Sequence, residues 1–123
     1  MLRNRRCYPD RVLLERLAMA ENLWHRRVAV VSTLFGVRHG EVNEALHVAT
    51  LLRNDGEDLI QKAVGWLLRE VGQHDLVALT TFLEAHGATM PRTMLRYAIE
   101  HFSRDERTYY MGLKQDLARR QGM

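Results

Sequence analysis

Three segments of this 123-residue chain can be laid over one another with a small residue at the middle of each, and that recurrence limits the possible folds more than any other feature. They are NLWHRRVAVVSTL (22 to 34), DLIQKAVGWLLRE (58 to 70) and PRTMLRYAIEHF (91 to 102), aligned so that Ala29, Gly65 and Ala98 coincide, 36 and 33 residues apart. Apolar residues within them recur at helical spacing, as Ile60, Ala63, Val64, Leu67 and Val71 do in the second. A small residue in mid-helix lets a neighbouring helix come close. Each segment also carries cations in its first half: Arg26 and Arg27, Lys62, and Arg92 and Arg96.

Between these segments the chain reads as further helices with short breaks and no strand. Pro9 and Asp10 open a first helix that runs to about Ala20, with Leu13, Leu14 and Leu17 on one face. Asn22 caps a second from Leu23 to Phe35, which Gly36 ends. A third spans Glu41 to Arg53, and Asn54, Asp55 and Gly56 form a turn. A fourth runs from Asp58 to Val71, closed by Gly72; a fifth from His74 or Asp75 to His86; a sixth from Pro91 to Phe102. Ser103 and Glu106 form a capping box for a seventh. Helix pairs recurring at about this period predict an all-α fold, a HEAT-like α-α superhelix of about seven helices that forms one domain over residues 1–123.

Composition narrows the function classes. The single cysteine, Cys7, excludes an intrachain disulfide, and no segment approaches the length of a membrane span, so a reducing, cytoplasmic location is expected. Net charge is only +3, from 18 basic residues (16 of them arginine) against 15 acidic ones, so nucleic-acid binding requires the cations to cluster on one surface. Glu44 and His47 form one Glu-x-x-His without the second copy that a di-metal bundle needs, and neither a metal nor a cofactor is expected.

Two residues break the local pattern. Trp66 lies off the apolar stripe of its helix, between Lys62 and Arg69 on the same face. It either packs against the next helical layer or forms an aromatic platform flanked by positive charge, suited to a nucleic-acid backbone and base. Arg27 falls inside the arc of Leu23, Trp24, Val28, Val31, Leu34 and Phe35, where a charge must be paired, for example with Glu44 or Glu70, or face a groove and meet a phosphate.

With the W-x-R-R string at 24 to 27 and A-x-G-W-x-x-R-E at 63 to 70, roughly residues 11 to 112 resemble the carboxy-terminal half of the AlkD-type DNA alkylation repair glycosylases, which are built of HEAT-like repeats. The resemblance implies excision of cationic N3- and N7-alkylated purines from double-stranded DNA. It implies that Trp66 faces the lesion nucleotide and that Arg27 contacts the backbone near it, while Arg26, Lys62, Arg69 and Arg96 are the cations placed to hold the backbone further along. The family's catalytic carboxylate and a second tryptophan come from helices preceding the matched region, so the amino-terminal repeats and any catalytic residue are expected to be missing. The expected protein is thus the DNA-binding part of a repair enzyme, inactive alone, with an uncovered amino-terminal end available for self-association. The alternative is a HEAT-like protein-interaction scaffold.

Overall fold

A computed structural model describes residues 10–121, which contain seven α-helices; Cys7 and Pro9 lie outside the described residues. The helices are α1 (Arg11–Ala18), α2 (Leu23–Arg38), α3 (Asn43–Leu51), α4 (Asp58–His74), α5 (Leu76–His86), α6 (Arg92–Ala98) and α7 (Arg104–Gln121). Helix α4 packs against α2 on one side and α6 on the other, so the three segments that align in sequence form one layer. Helices α1 and α3 cover α2, α3 and α5 cover α4, and α7 packs on α6. The result is an all-α, solenoid-like arrangement.

The layer is close-packed because its aligned positions are small. Ala29 and Ala98 are buried, as is Gly65. A Cβ on Gly65 would stand 2.5 Å from the Tyr97 Cβ and 2.6 Å from the Met94 carbonyl oxygen, so α6 lies directly on the α4 backbone. One continuous core runs from Leu14 through Val30, Ile60, Leu67 and Leu83 to Tyr110.

Helix starts follow the sequence. Asp10, Asn22 and Asp75 each accept a backbone N–H with the side chain at an N-cap. The Ser103 and Glu106 side chains and backbone N–H groups make the reciprocal capping box at 3.1 and 3.2 Å. Several ends differ from expectation. Helix α2 passes through Gly36, which is buried, and ends at Arg38, just before Gly40, whose φ of 84° only glycine adopts readily. There the Glu41 N–H donates to the Gly36 carbonyl at 2.7 Å and the Gly40 N–H to Val37 at 2.9 Å, the paired bonds of a Schellman end. Helix α4 likewise passes Gly72 and ends at His74. Helix α6 is shorter than its apolar pattern, ending at Ala98; the turn that follows, closed by the Phe102 N–H to Ile99 carbonyl bond, sets Phe102 edge-on to Tyr110 at 5.6 Å. No helix of the described residues is long and apolar enough to cross a membrane.

Candidate nucleic-acid interface

Helix α2 turns a different face inward from the one its sequence suggests, sharing only Leu34 and the half-buried Leu23 with the expected apolar arc. Its core face is Ala29, Val30, Thr33, Leu34 and Val37, and the Thr33 hydroxyl is satisfied by the Val30 carbonyl at 2.8 Å. Four of the six residues expected to form the apolar face turn to solvent: Trp24 is 59% exposed, with Val28, Val31 and Phe35 each exposed by 41 to 49%. Arg27 sits among them, exposed, in a groove of about 310 Å³ with Trp24, Val28, Val31 and Ser32. The acid pairs considered for it do not form. Glu44 binds Arg11 at 3.0 Å, and Arg27 has no acidic partner among the described residues.

The neighbouring Arg26 has a different role. Its side chain is only 13% exposed and pairs with Asp55 at 2.8 Å, while it donates to the carbonyls of Ala20 at 3.0 Å and Glu21 at 2.7 Å. It therefore ties the α1/α2 turn to the turn before α4. Arg69 is also mostly covered and forms an ion pair with Glu100, joining α4 to the end of α6. Lys62 is exposed and bridged to Asp58 at 3.0 Å, a hydrogen bond and charge that raise its pKa above the ordinary lysine value. Arg96 is exposed and faces a cleft between α6 and α7. Trp66 is half-buried against the core, so the packing reading describes part of its surface and the platform reading part.

The six sequence candidates thus divide. Arg27 and Arg96 are exposed without an acidic partner among the described residues, Lys62 is exposed but bridged to Asp58, Arg26 and Arg69 are held in more covered ion pairs, and Trp66 is half-buried. Arg27 and Trp66 sit on adjacent helices of one layer, but the aromatic ring that shares a groove with Arg27 is Trp24. Sequence reasoning assigned Trp24 to the core; the usable signal was its i, i+3 spacing from Arg27, which puts the two on one face. Glu44 and His47 are drawn to separate partners, Arg11 and Glu15.

A layered, all-helical, solenoid-like body with exposed arginines and lysine along its central layer is the class that fold and surface define. A family model described as DNA alkylation repair enzyme matches residues 2–102, and the chain belongs to that family. Comparison with curated proteins and with solved structures gave no match. The protein is accordingly a DNA alkylation repair protein, and DNA is the partner its family indicates.

Proposed function

We propose that this chain binds double-stranded DNA carrying cationic N3- or N7-alkylated purines, as the DNA-binding part of a glycosylase of its family. The observation that carries the reading is Arg27: a guanidinium on the surface, free of acidic partners among the described residues, beside an exposed indole. A guanidinium matches phosphate oxygens with two parallel hydrogen bonds, and an indole face attracts cations by about 0.5 to 2 kcal/mol. Lys62 and Arg96 add phosphate contacts without reading bases.

The chemistry suits an electron-rich surface. When the N-glycosidic bond of an alkylpurine breaks, its electron pair goes to the purine nitrogen and neutralises the base, while positive charge develops on the sugar. Water then adds to the anomeric carbon and loses a proton. Trp66 and Trp24 are the indoles placed to favour the cationic sugar or base, and Arg27 fixes the adjoining phosphate. A carboxylate opposite the sugar is worth several kcal/mol in such a transition state.

Titration of a duplex at increasing salt tests the reading. Arg27→Ala should weaken binding and lower the magnitude of the log K against log salt slope by about 0.9, one phosphate contact. An unchanged slope removes Arg27 from the interface. Incubation with N7-methylguanine DNA tests the activity, and release of free base well above the spontaneous rate would show that the chain is catalytic as it is.

A second reading has its own observation. Trp24, Val28, Val31 and Phe35 make an apolar ridge on the side of α2 away from the core, the type of surface that another helical layer covers. On this reading the chain is a scaffold that associates with itself or another helical protein through α2.

A further inference from the structure

The cleft between α6 and α7 has one wall inside the segment matched by the family and one beyond it, since α7 begins at Arg104 and the match ends at residue 102. It encloses about 700 Å³. Arg92 and Arg96 stand on the α6 wall and Arg104 and Arg107 on the α7 wall, with Ile99 and Met111 between them. All four arginines are exposed. Arg92, Arg96 and Arg104 have no acidic partner among the described residues, and Arg107 donates to the Phe102 carbonyl at 2.7 Å. The carboxylate lining this cleft, Glu100, is engaged by Arg69. Four guanidiniums against one occupied carboxylate concentrate on one surface as much charge as the whole chain carries in excess, +3. Such a cluster repels itself, and a bound anion relieves the repulsion.

We propose that the α6/α7 cleft is a phosphate groove that holds a stretch of DNA backbone, extending the contact of the α2 and α4 surface along the duplex; this rests on the DNA-binding reading above. A strand fits better than one small anion because the charges are spread lengthwise. On each wall the arginines are separated by about one helical turn, roughly 5.4 Å along the axis. Met111, half-buried at the cleft, offers an apolar contact to a sugar, and Arg is the side chain best suited to phosphate recognition.

The test uses the full chain, an undamaged fluorescein-labelled duplex and anisotropy titrations across a range of salt. Arg92→Gln/Arg104→Gln should lower the magnitude of the salt slope by about 1.8, two contacts at about 0.9 each. Arg92→Lys/Arg104→Lys should keep the wild-type slope, and circular dichroism should show all three proteins equally helical. A wild-type slope in the glutamine variant overturns the proposal; if Arg27→Ala lowers the slope in the same series, the Arg27 interface survives that failure. The reverse pattern keeps the cleft and removes Arg27. Inorganic phosphate at matched ionic strength should release no more duplex than chloride does, and selective release would show a single-anion site and overturn the strand assignment.

Discussion

Adjacent arginines in the string His25-Arg26-Arg27 have unrelated roles, because successive residues on a helix point about 100° apart. Arg26 is enclosed with Asp55, itself only 9% exposed, so Arg26→Ala leaves a covered carboxylate without its counter-ion. The expected cost is about 3 kcal/mol, read as a lowered midpoint in urea, whereas Arg27→Ala should change stability by no more than about 0.5 kcal/mol. Equal losses in the two variants would contradict the assignment. His86 sets a pH dependence at the same scale. Burial, and then the nearby Arg53 charge, hold its pKa below the ordinary 6.5. The unfolded chain therefore takes up a proton before folded His86 does, so this contribution to stability is complete above pH 6.5 and declines as the pH falls below it. Denaturant midpoints measured from pH 7.5 down to 5 should fall less steeply for His86→Gln than for wild type.

Single helices are held by contacts with the next one in the layer. The tightest of these is the crossing of α4 and α6 at Gly65. Gly65→Ala gains helix propensity, by about 1 kcal/mol, but its methyl group meets the backbone carbonyl of Met94, which cannot rotate away as a flexible side chain could. A net loss of about 1 to 3 kcal/mol is expected from overpacking. Gly56→Ala, where a Cβ meets nothing within 4 Å, is the control that separates a clash from a general effect of losing glycine. A Gly65→Ala protein as stable as wild type would refute the close approach.

At the scale of the whole molecule, layered helical proteins bury a helix by stacking neighbours on both sides, and here the outer side of α2 carries the exposed ridge of Trp24, Val28, Val31 and Phe35. If that ridge takes up another helical layer, Trp24→Ser/Val31→Ser should make the protein more monomeric in sedimentation velocity at high concentration, with the helix content unchanged. A wild-type protein that stays monomeric throughout the range removes self-association and leaves the ridge to DNA or to a different protein.

Periodicity alone determined the helices and their small aligned residues, since a 3.6-residue repeat and a glycine or alanine at the crossing are local properties of the chain; Ala29, Gly65 and Ala98 duly lie buried in one layer. Capping also needed only local sequence, as the Ser103 and Glu106 box shows. Helix ends were less legible: Gly36 and Gly40 are both plausible stops, and the choice fell to Gly40 because Val37, beyond Gly36, is buried. Which face of α2 turns inward was decided by tertiary packing, because Val28 and Val31 are as apolar as Val30 and Val37, and only the position of α4 selects between them. The same holds for charge. Whether an arginine meets a carboxylate 29 residues away, as Arg26 meets Asp55, or shares an open cleft with three others, as Arg96 does, depends on contacts between distant segments that no local pattern encodes.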